Sequence, residues 1–162
     1  MCVRWVLTLK ENRQEWKQCV LLACDGGNGD ALVVLEEKRA AVGWSATLED
    51  FLEPVMTLCR ASAIEALDAL LRTMPEVARN AMLRDIQLCA RCCLHNAHKA
   101  LTFLVSRYGK VFINESHENA ADMCIALAYR TGAEDLFLAV LERARPQNPQ
   151  VRVQMLFFLF FF

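Results

Sequence analysis

Proline and glycine are scarce in this sequence, with 4 and 6 residues among 162. Disordered chains and long interdomain linkers are rich in these residues, so the sequence predicts a folded chain without an internal domain boundary. Positive and negative side chains nearly balance, at 18 Lys plus Arg against 19 Asp plus Glu, and no long basic run is present. This charge pattern gives no basis for docking onto nucleic acid, and we expect no nucleic-acid partner.

Long apolar runs are also missing. The chain contains no span of about 20 apolar residues, which a membrane-crossing helix requires. The apolar start of the chain is interrupted by Arg4 and followed at once by Lys10 and Glu11, unlike a secretory leader. These two features predict a cytoplasmic protein, and a nuclear location is equally compatible with them.

Groups for catalysis or nucleotide binding are few. The only histidines are His95, His98 and His117. Cys93 and His95 lie two residues apart on a predicted helix, where side chains do not face each other, so they make a poor nucleophile pair. The glycine-rich stretch 26–30 lacks the preceding strand and the following Gly-Lys-Ser/Thr of a phosphate-binding loop. We expect a protein that is not an enzyme and takes no cofactor and no small-molecule substrate.

The chain does have an internal repeat. Segments 23–36, 58–71, 92–105 and 128–141 align without gaps, and their starts are 35, 34 and 36 residues apart. Apolar residues recur in these segments at helical spacing. A period of this size with helical content is typical of stacked small units rather than of one globular core. The sequence therefore predicts an all-α fold, a helix-hairpin repeat solenoid that spans residues 1–162 as a single array.

Each unit is predicted as two helices joined by a tight turn and followed by a loop of about ten residues. Three of the four turns contain Gly or Asn, which tolerate the left-handed conformation that closes a helix; the turn residues are Gly27, Ser62, Asn96 and Gly132. Proline disfavours a helix interior, so Pro54 moves the expected start of its helix toward Leu52 or Glu53. The predicted first helices are 14–25, 49–61, 82–95 and 119–131, and the second helices are 29–38, 64–73, 98–107 and 134–144.

These helix pairs define units at 14–48, 49–81, 82–117 and 118–150. An unmatched segment, 1–11, precedes them as a capping helix, and an apolar half-unit or tail, 151–162, follows them.

Eight cysteines raise the question of disulfides or a metal. Cys24, Cys59 and Cys93 share one repeat position, and Cys92, Cys19, Cys89 and Cys124 also lie on first helices. Because free cysteine behaves as a small buried hydrophobe, we expect core thiols in a reducing compartment. Cys89, Cys92 and Cys93 lie on one helical face near two histidines, but a zinc site needs a second pair of ligands from another turn or loop. A thiol-based metal or redox-responsive protein therefore stays open as one alternative function.

The aligned units resemble ankyrin repeats over residues 15–145. The pattern of that family is a first helix ending in small residues, two variable residues, a Gly turn and a second helix ending in leucines. It is matched by Ala23-Cys24…Gly27-Asn28…Leu35, by Ala128-Tyr129…Gly132-Ala133…Val140-Leu141, and at the loop exit by Leu104-Val105…Gly109…Ile113-Asn114. The family's Thr-Pro-Leu-His opening, which ties its loops to the helix, is nearly absent, and only Pro54 remains of it.

The resemblance implies a concave binding surface formed by the two variable residues before each turn. The candidate partner-binding residues are Asp25, Arg60, Leu94, His95, Arg130 and Thr131. Arg60 and Arg130 give this surface a positive character, which suits an acidic or carboxylate-bearing partner segment. The alternative is that these positions are simply solvated helix ends. The expected function is a non-catalytic protein–protein interaction scaffold or adaptor.

The tail Met155–Phe162 is apolar throughout and too short to span a bilayer. It permits three interpretations: a capping helix, a truncated piece of a longer array or covered interface, and a docking or membrane-surface element. A terminal repeat needs a polar outer face, which this segment cannot provide, and this favours the second interpretation. Membrane contact through Met155–Phe162 makes a membrane-associated complex subunit a further alternative function.

Overall fold

The computed structural model describes residues 13–112 and 118–143, and in those ranges it contains nine α-helices and no strand. The predicted all-α class is thereby confirmed. The helices are α1 (Arg13–Asp25), α2 (Gly29–Ala41), α3 (Leu48–Ala61), α4 (Ile64–Thr73), α5 (Glu76–Arg84), α6 (Ile86–Leu94), α7 (His98–Phe112), α8 (Glu118–Thr131) and α9 (Glu134–Arg143).

The chain divides into two compact units between Arg79 and Asn80, within α5. In the first unit, α1 and α2 form one helical hairpin and α3 and α4 form another. The first helices of the two hairpins, α1 and α3, pack on each other, and so do the second helices, α2 and α4. Each helix therefore contacts both its own partner and the equivalent helix of the neighbouring hairpin.

Aromatic and aliphatic side chains fill the space between these four helices. Trp16 of α1 and Phe51 of α3 are fully buried and meet edge to face, with ring centroids 5.9 Å apart. Such a pair stabilises a core by about 1 kcal/mol beyond the burial of its area. The second helices approach closely because small residues face each other: a Cβ placed on Gly29 of α2 would lie 3.3 Å from the Cβ of Ala69 in α4.

The second unit repeats this arrangement. Helices α6 and α7 form one hairpin and α8 and α9 form the next, with α6 packed on α8 and α7 packed on α9. Its buried core includes Leu101 and Leu104 from α7 and Leu136 and Phe137 from α9. These are the apolar positions that the helical spacing of the sequence predicts.

The four predicted turns all have the same backbone conformation. Gly27, Ser62, Asn96 and Gly132 have φ values of 59°, 53°, 54° and 66°, in the left-handed region. The residue after each of them donates its N–H to the carbonyl five residues earlier, as in Asn28 N–H to Ala23 C=O at 2.9 Å and Ala133 N–H to Ala128 C=O at 3.0 Å. This is the hydrogen bond of a Schellman motif, which satisfies a carbonyl left free at the helix end.

Three expectations about the helices and loops are wrong. Segment 82–95 is not one helix, because α5 ends at Arg84 and Asp85 caps a new helix, its carboxylate accepting the N–H of Gln87 at 2.9 Å. Helix α5 fills most of a predicted loop, and the loop between α2 and α3 is only residues 42–47. Pro54 does not delay α3, which begins at Leu48 and contains this proline in its interior.

Several expectations concern parts of the chain outside the described residues. These are the capping segment 1–11, the loop-exit pair Ile113-Asn114, His117 and the tail Met155–Phe162.

Candidate functional site

The residues predicted to bind a partner end the first helix of each hairpin. At all four hairpins both residues before the left-handed turn residue are exposed. The helix residue just before these pairs is buried in the first two hairpins, at Cys24 and Cys59, so the chain emerges from the core at this point. We call these positions the turn ridge; its members are Asp25, Gly26, Arg60, Ala61, Leu94, His95, Arg130 and Thr131.

In the first unit, the turn ridge consists of helix ends with few side-chain contacts. Asp25 ends α1, and Arg60 lies one residue before the end of α3. The Arg60 guanidinium donates to the hydroxyl of Thr57, one turn back on the same helix, at 3.3 Å. Its charge therefore stays at the surface, where an approaching carboxylate can pair with it.

In the second unit, Arg130 of the turn ridge contacts the two residues that flank the turn ridge pair of the preceding hairpin. The Arg130 guanidinium crosses from α8 to the end of α6, where it donates to the Cys93 carbonyl at 3.1 Å and to the Asn96 side-chain oxygen at 2.8 Å. A cation at the C-terminus of a helix stabilises it through the helix dipole. Much of the hydrogen-bonding capacity of Arg130 is thus used within the chain.

Apolar side chains are also exposed on this part of the second unit. Leu94, the last residue of α6, is 79% exposed, and Tyr129, next to Arg130, is 50% exposed. The Thr131 hydroxyl donates a hydrogen bond to the Leu127 carbonyl at 2.9 Å, so its proton is already used within the helix. The turn ridge of the second unit therefore combines an apolar contact with a constrained cation.

An open cleft of about 620 Å³ lies beside these residues. Gly132 and Ala133, which directly follow Thr131, form one edge of it. Basic, acidic and aromatic side chains all line it, so no single charge dominates. The other lining residues are His98, Lys99, Thr102, Phe103, Ser106, Glu134 and Asp135.

The cysteines largely occupy the core, as expected from the repeat. Cys24, Cys59, Cys89, Cys92 and Cys124 are buried, which confirms the packing prediction for them. Burial, reinforced by the negative charge of Asp25, raises the pKa of Cys24 to about 12, so this thiol stays protonated. Cys19 and Cys93 are only half-buried and depart from the prediction.

Three cysteine side chains meet between α6 and α8. The sulfur atoms of Cys89 and Cys124 lie 3.7 Å apart, and the Cys89 thiol also lies 3.7 Å from the Ala120 carbonyl. Cys93, one turn further along α6, points its thiol at the Met123 carbonyl at 3.7 Å and interacts with both other thiols. We call Cys89, Cys93 and Cys124 the trithiol cluster.

The three thiols of the cluster differ in their pKa. Hydrogen bonds from Cys124 and Cys89 lower the pKa of Cys93 well below its usual range, against the effect of burial and with help from the Arg130 charge. The pKa of Cys89 is raised, because the lowering effect of its hydrogen bond with Cys124 is outweighed by the hydrogen bond to Cys93 and by burial. The pKa of Cys124 is raised by its hydrogen bonds to Cys89 and Cys93 and by burial.

The sequence places Cys89, Cys92 and Cys93 on one helical face. Cys92 is buried, as the packing prediction expects, and Cys124 of α8 lies against Cys89, a contact that the sequence analysis did not propose. Cys124 follows Cys89 by 35 residues, one fewer than the offset of 36 between the third and fourth segments, so nearly equivalent positions on stacked first helices were the available signal for this contact. Among the residues that the structure describes, no three His, Cys, Asp or Glu side chains converge as metal ligands.

None of the helices described here is long and apolar enough to cross a membrane. Comparison of the chain with protein-family models, with characterised proteins and with solved structures finds no match to it.

Proposed function

We propose that this chain is a non-catalytic adaptor that binds a protein segment along its turn ridge. The proposal combines two features: helix hairpins that stack within each compact unit, and equivalent exposed positions at the ends of the four hairpins. Proteins built in this way mostly present an extended surface to a partner. The likeness to ankyrin repeats points to the same surface.

The observation that carries the proposal is the equivalence of the four turns. Each has one left-handed residue at the same repeat position and two exposed residues immediately before it. These exposed residues differ between hairpins while the backbone around them is the same. A constant backbone with variable side chains is the property expected of a recognition surface that uses its side chains for specificity.

The finer fold within this proposal is a single ankyrin-like solenoid of four hairpins. It is supported by the pairing of first helices with first helices and second helices with second helices inside each compact unit.

The chemistry of the surface favours an acidic segment that also carries an apolar side chain. Arg60 offers a charge that is free to meet a carboxylate, and Leu94 offers the exposed apolar contact. Apolar anchors surrounded by polar groups provide most of the binding energy in protein interfaces. The positive character expected from Arg130 contributes less, because its guanidinium is held against α6.

Site-specific photo-crosslinking tests this proposal on the full chain. A benzophenone side chain is placed at position 60 or 94, and the matched control carries it at Val34, in the middle of α2, which is also about half exposed. We expect the same partner protein to crosslink from positions 60 and 94 and not from 34. Equal crosslinking from all three positions would show that association is non-specific and would overturn the proposal.

Once a partner is identified, substitution measures the contribution of the ridge. We expect Leu94→Asp to weaken its affinity by roughly tenfold to a hundredfold, because a charge replaces the apolar contact at an interface. The control is Val34→Asp, which makes the same change on α2 and should leave the affinity unchanged. Isothermal titration calorimetry measures the affinity of both variants for the partner, and circular dichroism verifies that both variants are helical.

A further inference from the structure

The three thiols of the trithiol cluster differ in a way that packing alone does not require. Cys89 and Cys124 are buried, whereas Cys93 is half-buried and so reachable from solvent. Thiol side chains that only fill space can be equivalent to each other. Here the half-buried Cys93 lies one turn from Cys89 on α6 with its sulfur 3.7 Å from the Met123 carbonyl, and the buried sulfurs of Cys89 and Cys124 meet across the interface between α6 and α8.

We propose that the trithiol cluster is a hydroperoxide-reactive site in which Cys93 is oxidised to a sulfenic acid and Cys124 traps it as a Cys93–Cys124 disulfide. This site joins α6 to α8 covalently when it is oxidised. It is independent of the partner-binding proposal, because its chemistry is read from the chain itself.

The reaction balances with a hydroperoxide as the oxidant. The Cys93 thiolate attacks one peroxide oxygen, the O–O bond breaks, and one proton is taken up to give the sulfenic acid and, from hydrogen peroxide, one water. The Cys124 thiol then attacks the sulfenic sulfur, the S–O bond breaks, and the second water leaves. In total two thiols lose two hydrogens and two electrons, and hydrogen peroxide becomes two waters.

Attack on the peroxide and trapping of the sulfenic acid fall to different thiols, because the pKa of Cys93 is lowered and that of Cys124 is raised. The nucleophile toward a peroxide is a thiolate, and the lowered pKa of Cys93 supplies one. The Arg130 guanidinium, held at the Cys93 carbonyl, keeps a positive charge beside it. Cys124 remains protonated because its pKa is raised, and it is protected from the oxidant by burial.

The geometry permits the bond without moving the helices far. The sulfurs of Cys89 and Cys124 are 3.7 Å apart, and Cys93 interacts with both of them. A disulfide needs an S–S distance of about 2.05 Å. The Cys93 sulfur lies 3.7 Å from the carbonyl oxygen of Met123, the residue before Cys124 in α8, so rotation of the Cys93 and Cys124 side chains can bring their sulfurs together across the α6–α8 contact. Cys24 occupies the same repeat position as Cys93, but burial and the charge of Asp25 raise its pKa to about 12, so it stays protonated and unreactive.

Non-reducing peptide mapping of the full chain tests the proposal. The chain is treated with hydrogen peroxide, free thiols are alkylated, and trypsin is added. Cleavage after Arg91 separates Cys89, on peptide 85–91, from Cys93, on peptide 92–99, while Cys124 lies on peptide 111–130. We expect peptides 92–99 and 111–130 to be linked, in wild type and in Cys92→Ser, which assigns the bond to Cys93.

Variants then separate the roles of the three thiols. Cys93→Ser should lower the rate of peroxide consumption by more than about tenfold, since an ordinary thiol with a pKa near 8.5 is only a few per cent thiolate at pH 7. Cys124→Ser should leave a sulfenic acid on Cys93 that dimedone captures. Cys89→Ser is the control and should still form the link. The rate of wild type should be independent of pH between 6 and 8.

Three outcomes would overturn the proposal. The first is linkage of peptide 85–91 instead of 92–99, and the second is an undiminished rate in Cys93→Ser. The third is a purified protein that contains one zinc per chain held by these thiols. Helical circular dichroism of each variant excludes loss of fold as the cause of a lost reaction.

Discussion

At the residue scale, Asp50 is a buried carboxylate that ties the 42–47 loop to α1. The Arg13 guanidinium donates to its Oδ2, Lys17 lies 2.7 Å from its Oδ1, and the Thr47 N–H donates to its Oδ2 at 2.9 Å. Burial raises the pKa of Asp50, but the hydrogen bonds from Lys17, Thr47 and Arg13 outweigh it and hold the pKa well below its usual range. The folded state therefore strongly favours the ionised form.

This carboxylate makes the stability of the chain depend on acid. Because the pKa of Asp50 is lowered in the folded state, its contribution is complete above the unfolded value of about 3.9 and is lost as the pH falls further. We expect Asp50→Asn to reduce the free energy of unfolding at pH 7 by about 2 kcal/mol. The difference from wild type should shrink between about pH 4 and pH 2, as measured by urea denaturation.

The matched control for that measurement is Glu49→Gln, which removes an exposed carboxylate from the preceding residue. It should change the unfolding free energy by less than about 0.5 kcal/mol. An Asp50→Asn difference that stays constant down to pH 2 would contradict the assigned cause.

A second buried pair ties the other end of the same loop. Arg39 bonds Glu36 at 3.0 Å, and its guanidinium also donates to the carbonyl of Trp44. Burial outweighs the effect of Arg39 and raises the pKa of Glu36. Arg39 and Asp50 thus tie both ends of the 42–47 loop, a role that the resemblance to ankyrin repeats would give to a Thr and a His. These residues lie outside the motif, so comparison with the motif did not identify them.

At the element scale, the turns that close the first helices determine where each hairpin bends. Ser62 has the left-handed φ of 53° that Gly27 and Gly132 adopt without strain. A residue with a Cβ pays about 1 kcal/mol for this conformation, and glycine does not. The second hairpin is therefore closed by a residue that is less suitable than its equivalents in the first and fourth.

We expect Ser62→Gly to stabilise the chain by about 0.5–1 kcal/mol and to raise its melting temperature by a few degrees. The reciprocal variant is Gly27→Ala. A Cβ at Gly27 would meet only Ala63 Cβ at an ordinary 3.6 Å, so its cost, about 1 kcal/mol, arises from φ alone. Differential scanning calorimetry measures the melting temperatures of both variants against wild type. Shifts of the same sign would disprove the conformational explanation.

Helix α5 shows how local signals can be too weak to define an element. Segment 74–84 lies between two units of the repeat and was predicted as a loop and the start of a helix. Its apolar residues Ala78, Met82 and Leu83 follow helical spacing and are buried. Asp85 then caps α6. Burial of this apolar face, rather than propensity, provides most of the stability of so short a helix.

For the whole molecule, the proposed array predicts that unfolding is cooperative between the two compact units. Hairpins that stack in series are stabilised through their neighbours, so loss of one destabilises the next. Trp5, Trp16 and Trp44 all precede residue 80, so tryptophan fluorescence reports only on the first compact unit. Circular dichroism reports on helices of both units.

We expect Leu101→Ala, which removes a fully buried side chain from the second unit, to cost about 3 kcal/mol. In a coupled array this substitution lowers the denaturation midpoint measured by fluorescence as well as that measured by circular dichroism. Phe51→Leu in the first unit is the positive control for the fluorescence signal. A fluorescence midpoint unchanged by Leu101→Ala would show two independent units and contradict a single array.

Sequence patterns were enough to predict the all-α class, seven of the described helices to within five residues, the four left-handed turns and the burial of most cysteines. These features depend on signals within one turn or one helix: apolar spacing, and a residue that tolerates positive φ. Sequence patterns did not predict the contacts of Arg130 with Asn96, of Asp50 with Arg13, or of Cys89 with Cys124. The partners in these contacts are 34, 37 and 35 residues apart. Side chains that distant meet only after hairpins have packed, and that packing sets the neighbours, the burial and the pKa of each group.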